Sequence, residues 1–192
     1  MRVFVHYKKQ KVEFFLEELN ELHEKYISRT FDFDKNFISH LKECQDFFHE
    51  IGDSNMSSKL SQLRTYFETS LKGINPQNLE KIRTGKRENI WISAFHCLSN
   101  HGNQLQESLN NLEFILNEAN ETLSQLVITA FQSKLINDKD LKTIKNLNDI
   151  ENKWNQLCQN EQIKLIEKKL KLTIHQQDIY ILLDKIFNKI KL

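Results

Sequence analysis

Residues 88–135 read ENIWISAFHCLSNHGNQLQESLNNLEFILNEANETLSQLVITAFQSKL, and the apolar spacing of this stretch decides the fold class. Leu105, Leu109, Leu112, Leu116, Ala119, Leu123, Leu126 and Ala130 are separated by alternating steps of four and three residues. That seven-residue repeat is the seam of helices packed side by side. The phase extends back through Leu98, Ala94 and Trp91, with polar His101 where an apolar residue is missing. Asn100-His101-Gly102-Asn103 is a dense group of turn residues and predicts a tight break between antiparallel helices. The alternative is one helix of about 70 Å from Glu88 to Leu135, since a glycine inside a helix costs only about 1 kcal/mol.

Outward from this stretch the helical period recurs. Val12, Phe15, Leu16, Leu19, Leu22, Tyr26 and Ile27 share one face, opposite Glu17, Glu18, Glu21 and Glu24. Before them Val3, Val5 and Tyr7 alternate, which fits a short strand or a first helical turn. Asp32 or Asp34 can cap the next helix, whose stripe is Phe37, Ile38, Leu41, Cys44, Phe48 and Ile51, with Gly52 ending it. A third helix starts at Ser54 or Asn55 and closes at Gly73. Asn75-Pro76 predicts a short fourth helix with Leu79 and Ile82. After the long repeat, Asn137 to Asp140 reads as a turn. Leu141, Ile144, Leu147, Ile150, Trp154 and Leu157 then form one stripe, which a short turn would fold back antiparallel. Thr173 and Gln176 have capping-box spacing before a last helix with Ile179, Leu182, Leu183, Ile186, Phe187 and Ile190.

Composition agrees with helices. The 192 residues include 4 Gly, 1 Pro and 13 Phe, and so few turn-formers exclude collagen-like and many-turned all-β chains. The glycines and the proline all lie between residues 52 and 102, which predicts long, stiff helices beyond. The expected architecture is an all-α antiparallel bundle of six to eight helices. It comprises an N-terminal bundle over 1–85 and a long heptad-patterned helical hairpin with a C-terminal helix over 86–192.

Function is less legible. Net charge is +1, from 27 basic and 26 acidic side chains, which is no global signature for nucleic acid or an acidic membrane. Three separated cysteines with no CxxC imply reduced thiols in a cytosolic chain. No apolar run reaches membrane-spanning length, and the first residues lack the pattern of a signal peptide, so a cytoplasmic protein is expected. Phosphate-cradle, dinucleotide and nucleophile-elbow motifs are absent, as is the Glu-x-x-His of di-iron bundles. Neither catalysis nor a cofactor is therefore expected.

His40 with Cys44, and Cys97 with His101, are pairs four residues apart that could supply zinc with two thiolates and two imidazoles. Cys44 lies in an apolar stripe and His101 in the expected turn, so core thiols and no metal are the expectation. Lys81, Arg83, Lys86 and Arg87 form a basic group beside a helix start, a candidate nucleic-acid contact. Lys164, Lys168, Lys169 and Lys171 form a second, diluted by Glu167. Glu161 to Lys185 has the outline of a helix-turn-helix, but its second helix would offer only His175, Gln176, Gln177 and Asp178, and Asp repels phosphate. Phe114, Ile115, Val127, Ile128 and Phe131 widen the long stripe beyond what one neighbouring helix covers, a candidate surface for another subunit. The expected function is a non-catalytic accessory subunit in a bacterial multi-protein complex, a defence-type assembly being one setting. Protein subunits are its expected partners and nucleic acid the alternative, with neither a membrane nor a small-molecule ligand expected.

Overall fold

A computed structural model describes residues 4–190 of the chain. It is all-α, with eight helices among the described residues: α1 (Val5–Ile27), α2 (Phe33–Glu50), α3 (Ser54–Leu71), α4 (Lys86–Gln132), α5 (Asp138–Thr143), α6 (Leu147–Leu157), α7 (Glu161–Leu170) and α8 (Gln176–Ile190). The chain divides into two compact units. One is Gln10–Leu109, and the other joins Met1–Lys9 to Asn110–Leu192.

The first unit holds most of α1, the α2–α3 pair and the start of α4. Gly52 takes the left-handed φ of +78° that ends α2, where a side chain would be strained. Asp53 then caps α3 by accepting from the Met56 amide at 3.1 Å. Asp32 occupies the expected N-cap of α2 but makes no capping bond. Its carboxylate instead accepts from Lys25 at 2.8 Å and Asn36 at 2.7 Å, and the Lys25 bond leads in drawing its pKa down to about 2. The core is aromatic: Phe33 stacks on Phe37 and Trp91 with ring centroids 5.6 and 5.5 Å apart, and Phe67 meets Phe37 edge-on.

Two local expectations fail here. No helix follows Asn75-Pro76, because Leu79 at φ +60° turns the chain back within one turn. The Asn75 amide donates to the Glu80 carbonyl, Ile82 donates to Gly73, and Ile74 and Lys81 form an isolated bridge. The break at Asn100–Asn103 is likewise absent: α4 runs unbroken through Gly102. The physical reason is burial. Ala94, Cys97, Leu98, His101 and Leu105 all face the core of this unit, and unwinding the helix there would expose them at a cost well above the roughly 1 kcal/mol of a helical glycine. The seven-residue seam is buried as its spacing predicts, with Leu109 and Trp91 half-exposed.

The second unit begins with the first residues of α1. Val5 and Tyr7 are helical, and Val3 lies outside the described residues. Beyond α4 the helices are short rather than long and stiff. The stripe from Leu141 to Leu157 is shared by α5 and α6, interrupted at Ile144, whose ψ of 113° is extended. Asn137 and Asp140 form a full capping box for α5, not a turn, and Asn146 and Asp149 form another for α6. Asn160 caps α7. Side-chain acceptors thus do here what Gly and Pro do earlier in the chain.

The entry to α8 departs from the Thr173–Gln176 box. Thr173 donates instead to the Leu170 carbonyl, and Asp178 accepts from the His175 amide at 3.0 Å. Asp178 also accepts from the Val5 amide at 3.0 Å, the His6 amide at 2.9 Å and His6 Nδ1 at 2.6 Å. One fully buried carboxylate therefore satisfies orphan amides at the starts of both α1 and α8. Burial alone would raise its pKa, but the bonds from the His6 ring and the three amides hold it below the ordinary carboxylate value.

Two outcomes are expected. At Gly102 an added Cβ would meet only Leu19 Cδ2, at an ordinary 3.5 Å. Gly102→Ala should therefore raise stability by about 0.5–1 kcal/mol in urea unfolding, whereas at a left-handed break it would lower it. Asp178→Asn should cost roughly 2–4 kcal/mol. Because the folded pKa of Asp178 is depressed, its contribution is present above the unfolded value of about 3.9 and lost as pH falls below it. Unfolding curves at several pH values should accordingly converge for the two proteins in acid.

Candidate functional site

In the Gln10–Leu109 unit, α2 and α4 bring three donor side chains together. His40 and Cys44 are one turn apart on α2, and His101 comes from α4. His40 Nε2 and His101 Nε2 are 3.1 Å apart, and Cys44 Sγ is 3.6 Å from His40 Nε2. All three donor atoms lie within 4.8 Å of one another. His40 is 5% exposed, and Cys44 and His101 are 0% exposed. On its far side His40 Nδ1 is 3.2 Å from Glu18 Oε2 on α1. The carboxylate accepts, so His40 Nδ1 carries the proton and His101 Nε2–H donates to His40 Nε2. His101 Nδ1 is buried with no hydrogen-bond partner among the described residues. The Phe15 ring meets His40 edge-on at 6.0 Å.

The electrostatics follow from desolvation. Burial pulls the His40 pKa down to about 4. Burial first, and then the neighbouring His40 charge, pull His101 down to about 3, so both rings are neutral at pH 7. Burial also pushes the Cys44 thiol far above its ordinary value. Glu18 is raised, by partial burial and then by Glu43 and Glu21. These carboxylates line a cleft of about 330 Å³ together with Lys25, Ser39 and His40.

The sequence pairs are thus only partly assembled. Cys97 stands apart: its thiol faces the Leu63 carbonyl of α3 at 3.7 Å, and burial raises it to about 12. His101, expected in a turn, is the ring that completes the group. The signal available in the sequence was the heptad phase itself, which puts residue 101 in the seam.

The other candidate residues fall elsewhere. Lys81, Arg83, Lys86 and Arg87 are all exposed. Lys86 and Arg87 open α4, while Lys81 and Arg83 lie on the preceding loop. In the helix-turn-helix outline Asp178 is buried and consumed by capping. Lys171 pairs with Glu167 at 2.7 Å. Among the five stripe residues, Phe114 and Ile128 are exposed, at 60% and 55%. Ile115 and Phe131 are half-buried. Val127 is fully buried, because it turns inward beside Leu126, and so cannot meet a partner.

A feature the sequence did not reveal lies in the second unit. Between α4 and α7 runs a groove of about 600 Å³. Its apolar lining is half-buried Ile115 and Ile166 with buried Ala119, Leu126, Ile163 and Leu170, and Thr122, Gln125, Thr129, Gln162 and Thr173 add polar surface. Glu118 and Glu121 edge the α4 wall and Lys169 the α7 wall. Among the described residues, no helix is long and apolar enough to cross a membrane. No protein-family model matches the chain, and no curated protein or solved structure is significantly similar to it.

Proposed function

We propose that this chain is a non-catalytic helical module that holds an amphipathic helix of another protein subunit, as an accessory component of a bacterial multi-protein assembly. The observation that carries this reading is the α4–α7 groove. From Ile115 to Thr129 it follows α4 for about 20 Å at the helical rise, the length of a four-turn ligand helix. Half-buried Ile115 and Ile166, one on each wall, are the apolar lining still open to such docking. Its walls carry opposite charge, Glu118 and Glu121 against Lys169, and this would fix the direction and register of a helix with one basic and one acidic flank. Exposed Phe114 and Ile128 stand beside the α4 wall and extend the apolar contact.

Purification from the native cells, with the co-eluting subunit identified by mass, tests this directly. The double variant Ile115→Glu, Ile166→Glu should bind that subunit about 100-fold more weakly, as expected for two lost apolar anchors, with its helix content intact. A chain that always elutes alone, or a double variant that binds undiminished, would remove the basis for the proposal.

The exposed basic group supports a second reading, nucleic-acid contact. Lys86 and Arg87 stand where α4 presents its unpaired amides, and Lys81 and Arg83 approach on the loop, so a phosphate there would meet both charge and N–H donors. Changing all four to Glu should abolish binding to an RNA or DNA duplex in gel shifts without loss of helicity. Binding of the unaltered chain should weaken steeply with salt. Salt-independent binding, or binding that survives the charge reversal, would eliminate this reading.

A further inference from the structure

We propose that His40 Nε2, His101 Nε2 and Cys44 Sγ are the ligands of one zinc ion, with Glu18 orienting His40 from behind. The first support is metric. Zinc bonds of about 2.0–2.1 Å to nitrogen and about 2.3 Å to sulfur, at tetrahedral angles, imply N···N edges of about 3.3 Å and N···S edges of about 3.6 Å. The His40–His101 and His40–Cys44 separations are 3.1 and 3.6 Å. Two edges of the group therefore already have the lengths of a zinc tetrahedron, and all three donors lie within 4.8 Å of one another.

The second support lies behind the donors. A ligating imidazole almost always gives its other N–H to a carboxylate or carbonyl, which fixes its tautomer and raises its basicity. His40 has that arrangement, Nδ1 to Glu18 Oε2 at 3.2 Å. Two neutral rings and a thiol buried to this degree are otherwise an expensive set of polar groups to hold in a core.

The third support is charge. As zinc binds, the Cys44 S–H bond breaks, an S–Zn bond forms from the thiolate pair and that proton leaves to solvent, while the His101 proton passes from Nε2 to Nδ1 so that the Nε2 lone pair is free for the metal. Zn²⁺, the Cys44 thiolate and the Glu18 carboxylate then sum to zero, which a site with so little exposure requires. A monovalent ion would leave the site one charge short. The cleft at Glu18 and His40 is also lined by Glu21 and Glu43, carboxylates that concentrate cations beside the group. The ion would tie α1, α2 and α4 of this unit together, and its fourth position is left to a water molecule.

The experiment uses the full chain stripped by chelator and titrated with zinc alone, and then with cobalt as a spectroscopic stand-in. One zinc per chain, one proton released per zinc, a higher unfolding temperature and a thiolate-to-cobalt charge-transfer band are expected. Cys44→Ser should abolish the band, whereas Cys97→Ser, an equally buried thiol outside the group, should retain it. Should Cys44→Ser not fold, Glu18→Gln decides. Its side chain is one-third exposed and tolerates the change, and it should weaken zinc binding roughly 10- to 100-fold. No stoichiometric zinc, a band that survives Cys44→Ser, or equal affinity in Glu18→Gln would each overturn the proposal.

Discussion

The unbroken passage of α4 through Gly102 is the constraint on which the rest of the structure depends. Three turn formers, Asn100, Gly102 and Asn103, lie together there, and yet the helix continues. The balance is set by what lies on the inner face. Cys97, Leu98, His101 and Leu105 are buried over two turns, and their combined burial outweighs the small helical penalty of one glycine. Gly102 also lies close to Leu19, so α1 can come near α4 at this point. Continuity places His101 opposite His40, and without it the three-donor group would not exist.

A second organising device is the use of carboxylates and amides as helix punctuation. The last 90 residues contain neither Gly nor Pro, but they still turn repeatedly. Asn137, Asn146 and Asn160 each accept from amides at a helix start, and Asp178 serves two helix starts at once. A polar side chain that satisfies the first free N–H groups lets a helix begin without a proline. Scarcity of Gly and Pro therefore indicates helix, but it does not indicate helix length.

The two proposed sites draw on different physics. The α4–α7 groove pairs half-buried Ile115 and Ile166 with charged Glu118, Glu121 and Lys169, and its value lies in the fit of a partner's mixed surface. The His40–Cys44–His101 group is sealed, and its value lies in donor atoms whose charge must be balanced internally. Each lies wholly within one of the two compact units.

By itself the sequence determined the all-α class, the buried seam from Leu105 to Ala130, the Gly52 and Gly73 helix ends and the shared face of His40 and Cys44. All of these follow from periodicity or from one residue's own dihedral preference, and both are local. What only the tertiary structure decided are the contacts that join distant segments. Asp178 reads in the sequence as a surface residue unfavourable to phosphate, because its partners Val5 and His6 lie more than 170 positions away. His101 reads as part of a turn, because the preference of Asn-His-Gly-Asn is local while the burial that overrides it comes from packing. The groove beside Ile115 was invisible for the same reason, since its second wall belongs to α7. Local propensities are worth about 1 kcal/mol each, and buried contacts between distant segments outvote them wherever several act together.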